Sequence, residues 1–168
     1  ITDDTHRHFI GGKPVTLMAK VGTFSEYACV SEQSIIKVEK DIDLKCVALV
    51  SCGVATGWGS AVSRAGTQAG DTVLVVGIGG IGMNAVQGAR MAGAKRIIAI
   101  DPVEFKREKA MEFGATHTYA SMTEAFMPVM EMTYGQMADR VIMTPGVLHG
   151  EMMGEGMALA GKGGTVVV

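Results

Sequence analysis

The chain is poor in cysteine, with three in 168 residues, and Cys29, Cys46 and Cys52 are irregularly spaced. This excludes a disulfide framework, and the odd number favours a reducing, cytoplasmic compartment. A basic stripe is missing too. The net charge is −2, and Lys106, Arg107 and Lys109 are interleaved with Glu104, Glu108 and Glu112. That pattern reads as a solvated helix face and excludes nucleic acid as a partner. No signal peptide is read, and there is no internal repeat or low-complexity segment. Two stretches, Cys46–Ser63 and Thr72–Ala89, are 18 residues long without charge. Length alone would make them membrane spans, but glycines and polar residues interrupt both, and both parse as pieces of a water-soluble fold. With 48% hydrophobic and 19% charged residues the chain can bury a core.

Residues 1–50 have β character. Gly22–Val30 alternates as a half-buried strand would, and Ser34–Val38 is a second short strand. Asp43–Val50 and Val54–Arg64 are predicted helices joined by Ser51-Cys52-Gly53. From Asp71 onward strand and helix alternate. Strands are expected at Thr72–Val76, Arg96–Ile100, His117–Ala120, Arg140–Met143 and Thr165–Val168, mostly apolar runs suited to a parallel sheet buried on both faces. Met111, Met127, Met130, Met152, Met153 and Met157 read as core filler. The chain opens at Ile1 without a methionine and closes on an apparent sheet strand, which sets the expectation of a piece of a longer protein.

The most informative stretch runs from Val73 to Asp101. An apolar strand leads into Gly77-Ile78-Gly79-Gly80-Ile81-Gly82, then a helix, a second apolar strand and a terminal acid. Gly77 permits the tight turn, Gly79 lets a pyrophosphate approach the backbone, and Gly82 lets the new helix pack close to the sheet. Free amides and the helix dipole favour an anion there. Asp101 lies 24 positions beyond Gly77, where a carboxylate accepts hydrogen bonds from a ribose diol and repels a 2′-phosphate, selecting NAD over NADP. Lys106 falls near the same ribose edge, or is a solvated helix lysine. The rivals are a purely structural glycine turn and an S-adenosylmethionine site, and the spacing suits a pyrophosphate better.

Ser51-Cys52-Gly53-Val54-Ala55-Thr56-Gly57-Trp58-Gly59, with Gly12-Lys13-Pro14, Gly22-Thr23-Phe24-Ser25-Glu26-Tyr27 and the glycine turn, resembles the zinc-dependent alcohol dehydrogenases of the medium-chain dehydrogenase/reductase superfamily. Asp101–Lys109 and Glu112–His117 look most like a bacterial branch assayed with a nitrosodimethylaniline acceptor, in which NAD can stay bound. The resemblance implies a fold in two parts. Residues 1–53 would be a remnant of a β-rich, GroES-like catalytic domain, and 54–168 a doubly wound α/β Rossmann domain lacking its last strand. It implies hydride transfer between an alcohol or aldehyde and NAD, zinc in the whole enzyme, and a homo-oligomer joined through the cofactor domain.

Residue by residue, Cys52 matches a catalytic-zinc ligand and Thr56 a neighbour of the nicotinamide. Gly77, Ile78, Gly79, Gly80, Ile81 and Gly82 match the pyrophosphate turn, with Ile81 packing on the nicotinamide. Asp101 and Lys106 match ribose contacts. Thr144 and Pro145 fall where the cofactor crosses the sheet edge, and Met18 and Ala19 near the substrate pocket. No general acid or base is identified. The family's second cysteine and Gly-His-Glu segment are missing, and His6, His8, His117 and His149 do not replace them. One thiolate does not hold zinc. The alternatives are a dinucleotide-binding module without chemistry and a zinc-free quinone or enoyl reductase of the same superfamily.

Overall fold

A computed structural model of the chain describes residues 6, 8–16 and 25–168. Contacts divide the chain into two compact units, Ile1–Ile42 and Asp43–Val168.

In the first unit a two-stranded hairpin pairs β1 (Phe9–Ile10) with β2 (Lys13–Pro14). Gly11 and Gly12, at φ 55° and 76°, make the connection, the pair of positive φ values that a two-residue hairpin turn requires. The expected longer strands do not form here. Of Gly22–Val30, the first three residues lie outside the described set, as do Met18 and Ala19, and 25–30 carry no strand. Ser34–Val38 is replaced by a 3-10 turn at Glu32–Ser34 followed by unpaired chain, with Ile36 88% exposed. Alternation says which way side chains could face, but a strand also needs a neighbour for its amides and carbonyls. Among the described residues no strand pairs with 26–30 or 35–38.

The second unit begins with one continuous helical run, Leu44–Arg64, rather than two helices. Asp43 caps it by accepting the Lys45 N–H at 2.9 Å. Helix α1 (Leu44–Leu49) passes through a π turn (Val50–Val54) into α2 (Ala55–Gly59), and a second π turn (Ser60–Arg64) follows. Ser51-Cys52-Gly53 is thus part of the helix. The small residues that suggested a break widen the turn instead. With 21 residues and a mean hydropathy of 1.4, the run is long and apolar enough to cross a membrane.

Five parallel strands follow, β3 (Thr72–Val76), β4 (Arg96–Ile100), β5 (His117–Tyr119), β6 (Ala138–Met143) and β7 (Ala160–Val167), in the order β5-β4-β3-β6-β7. Between them run α3 (Gly80–Met91), α4 (Glu104–Phe113), α5 (Met122–Met132) and α6 (Gly150–Leu159). Alternation along the strands divides the core between two faces. Val73, Val75, Ile97 and Ala99 pack with Ala85, Val86 and Ala89 of α3 and Ala110 of α4. Leu74, Val76, Ile98 and Ile100 pack with Met122, Ala125 and Val129 of α5 and Leu159 of α6. The doubly wound α/β expectation is met. The methionine expectation is met only in part: Met130, Met152 and Met153 are half-buried, with Met152 packed on the core, but Met111, Met127 and Met157 are about half or more exposed. Helix periodicity turns these last three outward despite their apolar character.

Candidate dinucleotide site

The registers of the central strands bring three residues together. Val76 pairs with Ile100 on one side and Met143 on the other. The next residues, Gly77, Asp101 and Thr144, therefore emerge side by side at the carboxyl ends of β3, β4 and β6. The chain leaves β3 toward β4 and returns on the opposite side as β6, so this is the point where an open α/β sheet forms its binding crevice.

Gly77 has φ 87°, and a Cβ there would lie 2.7 Å from the Pro145 nitrogen. Both conformation and space demand glycine. A Cβ on Gly82 would press on the Gly77 carbonyl and lie 2.8 Å from the Thr144 hydroxyl oxygen. Gly79 and Gly80, by contrast, face open space. The turn is tight toward the sheet and bare toward solvent, as a backbone cradle for an anion must be. Met83 donates its N–H to the Gly79 carbonyl at 2.9 Å, so by helix geometry the amides of Gly80, Ile81 and Gly82 precede the first closed turn. Ile78 is 2% exposed and seals the turn from below, whereas Ile81 is half-buried.

Asp101 is 4% exposed. Its Oδ2 accepts the Ile78 N–H at 2.8 Å and its Oδ1 accepts the Val103 N–H at 2.9 Å. Lys106 Nζ reaches Oδ2 at 3.5 Å. The carboxylate thus ties the glycine turn to the loop after β4 and keeps acceptor capacity on Oδ1 for a ribose hydroxyl. Arg107, which sequence reasoning left on a solvated face, donates to the carbonyls of Asp101 and Pro102 at 2.8 and 2.9 Å. The Thr144 hydroxyl donates to the Gly77 carbonyl at 2.7 Å, with the Val76 carbonyl at 3.1 Å. No spacing rule could have revealed either contact, because both depend on the folded turn.

The helical run reaches the same place. A Cβ on Gly57 would collide with the Ile81 carbonyl and lie 2.7 Å from the Asn84 Cβ, so α2 lies directly on the first turn of α3. Thr56 is next to that contact and exposed, and Cys52, one turn earlier, is an exposed free thiol. The structure brings the Thr56 turn beside Ile81. Among the described residues no group of three or more His, Cys, Asp or Glu able to hold a metal forms, at Cys52 or elsewhere. Those residues do not fit a complete zinc site.

A surface pocket of about 330 Å³ at the β5 edge is lined by Glu104, Arg107, Glu108, Tyr119 and Glu124, among others. Three carboxylates there disfavour a phosphate. Burial, helped by the Glu124 charge, pushes the Tyr119 phenol above its ordinary value.

The fold and the turn define a Rossmann-like α/β domain. Residues 80–168 match the family described as zinc-binding dehydrogenase, and the chain belongs to that family. It is 51% identical over 166 residues, 99% of its length, to the NDMA-dependent alcohol dehydrogenase of Amycolatopsis methanolica. It is 44% identical over its whole length to alcohol dehydrogenase B of Mycobacterium tuberculosis. In each case it spans 45% of the relative's own length. Benzyl alcohol dehydrogenase from Acinetobacter calcoaceticus superposes with a TM-score of 0.73 at 29% identity, over 79% of this chain and 36% of that one.

Proposed function

We propose that the chain is the NAD-holding part of an alcohol dehydrogenase, acting between an alcohol and its aldehyde or ketone. The observation that carries the reading is the contact of Gly57 with Ile81. It seats the helix bearing Cys52 and Thr56 on the glycine turn, which supports a reading in which the thiol and the nicotinamide end of the cofactor lie close together. In this reading Gly79, Gly80, Ile81 and Gly82 present backbone to the pyrophosphate. Asp101 takes a ribose hydroxyl on Oδ1, and Lys106 shifts from Oδ2 to the ribose edge. Thr56 and Ile81 flank the nicotinamide, and Pro145 closes the crevice beside Gly77. When bound, NAD accepts or returns the hydride, and the protein supplies orientation. Cys52 would supply one thiolate to zinc. The described residues do not complete the site of that metal.

The relatives support a small alcohol or aldehyde as substrate. The division at 53/54, a homo-oligomer through the cofactor domain and a cytoplasmic location belong to the same proposal. The helical run is read as part of a water-soluble protein because its second half is packed on α3 through Gly57 and Ala61.

Calorimetric titration of the purified protein with NAD and NADP, alongside alcohol oxidation and zinc content, tests the reading. Binding of NAD in preference to NADP is expected. Cys52→Ala should abolish zinc and activity in the enzyme while leaving NAD affinity within about two-fold, since the thiol sits outside the turn. A second reading is a binding module without chemistry. In that case Cys52→Ala changes nothing in the full-length protein, and neither zinc nor turnover is found there.

A further inference from the structure

We propose that Thr144 is a positioning residue for the dinucleotide: together with Asp101 it locks the single peptide group between Gly77 and Ile78. The inference rests on the NAD reading above and deepens it. The Gly77 carbonyl and the Ile78 N–H belong to one peptide plane. The Thr144 hydroxyl donates to that carbonyl at 2.7 Å, and the Asp101 Oδ2 accepts that N–H at 2.8 Å. One rigid group is thus held at both ends by side chains from two different strand ends, one on each side of β3.

The lock falls where the chain is freest. Gly77 sits at φ 87° and has no Cβ to restrict rotation of the group that follows it. A flip would turn the carbonyl onto the Asp101 carboxylate and the N–H onto the Thr144 hydroxyl, replacing an attractive contact with a repulsive one. The carbonyl is also enclosed, because a Cβ on Gly82 would meet both it and the Thr144 oxygen. Fixing this plane fixes the direction in which the chain enters Gly79 and Gly80. It therefore fixes the amides of the helix start before any ligand arrives, which is preorganisation in its ordinary sense. Thr144 acts through the peptide and need not touch the cofactor.

The test compares Thr144→Val, Thr144→Ala and Thr144→Ser with the unaltered protein. Valine keeps the shape and loses the donor. Alanine loses the donor without setting a methyl group against Gly82, which covers the case in which valine fails to fold. Serine keeps the donor. NAD affinity is read by calorimetry, and amide hydrogen exchange of the ligand-free protein is read at Ile78 and Gly79, with Leu74 of β3 as the internal control. Loss of one hydrogen bond predicts NAD binding weakened about ten-fold in the valine or alanine variant and within about two-fold in the serine variant. Exchange at Ile78 should accelerate about ten-fold in the former while Leu74 is unmoved. Unchanged NAD affinity, unchanged exchange at Ile78, or a serine variant as weak as alanine overturns the proposal. If the unaltered protein takes up no NAD, the functional reading falls. The exchange at Ile78 then decides the lock alone: acceleration upholds it and its absence ends it.

Discussion

Replacing Asp101 with asparagine separates its structural role from the cofactor-selecting role proposed for it. Its two oxygens each accept a backbone N–H, from Ile78 at 2.8 Å and Val103 at 2.9 Å, at a site only 4% exposed. Asparagine keeps one acceptor and must turn its NH2 toward the other amide. A hydrogen bond to a charged group contributes about 1.5–3 kcal/mol, and a buried donor left unpaired costs about 1–3 kcal/mol. Relaxation of the loop after β4 recovers part of this, so a net loss of about 3 kcal/mol is expected, a large fraction of the ~5–15 kcal/mol that holds a domain folded. At roughly 2–4 °C per kcal/mol for a chain of this size, the melting temperature should fall by about 6–12 °C. Circular dichroism melts check this, with urea titrations to confirm an unchanged slope. The same variant should bind NAD more weakly and lose its discrimination against NADP, because no carboxylate meets the 2′-phosphate. A fall of less than about 2 °C would refute the idea that Asp101 ties the turn to β4. Undiminished rejection of NADP would refute its role in selecting the cofactor.

Two further predictions use other parts of the fold. Gly57→Ala gains about 1 kcal/mol of helix propensity, but the new methyl meets the Ile81 carbonyl and, at 3.0 Å, the Ala85 nitrogen. Backbone atoms cannot swing aside, so overpacking of about 1–3 kcal/mol wins and the variant should be less stable. Gly59→Ala on the same helix meets nothing within 4 Å and should be neutral or more stable, which makes the pair a controlled comparison by urea unfolding. Tyr119 titrates above its ordinary value of 10.0 because it is partly buried and near Glu124. The unfolded chain then loses the phenolic proton first, so this contribution is complete below pH 10.0 and is lost as pH rises through the folded value. Tyr119→Phe should flatten the alkaline loss of stability, and an unchanged slope above that pH would count against it.

The sheet was legible because its strands are buried on both faces, so hydrophobicity alone marks them. Thr72–Val76 and Arg96–Ile100 have the predicted bounds. Strand ends moved by one or two residues at β5 and β6, and the largest shift came where glycine entered. β7 begins at Ala160 rather than Thr165, because Gly161 and Gly164 pass too close to the Gln136 and Ala138 carbonyls for any side chain, and this reads in sequence as a loop. Ser51-Cys52-Gly53 misled in the same way: local composition suggested a break, while packing on α3 keeps the helix running. The glycine turn and Asp101 were legible from spacing, since Gly77 and Gly82 answer a steric demand while Gly79 and Gly80 leave the backbone bare. The contacts of Thr144 and Arg107 were not. The first joins residues 67 positions apart, and only the pairing of β3 with β6 makes them neighbours.

That pairing also ties the stability of this domain to the cofactor binding proposed for it. Gly77, Asp101 and Thr144 each follow the last residue of a strand, and the three strand ends are level because Val76 pairs with both Ile100 and Met143. A slip of β6 by one residue would set Met143 or Pro145 where Thr144 stands, and neither carries a hydroxyl. The same slip would turn Val141, buried against α5 and α6, to the opposite face of the sheet. The core therefore enforces the register, and the register places the donor that holds the turn. The backbone surface proposed to receive a dinucleotide is the upper edge of the packing that folds the domain, not a loop added to it.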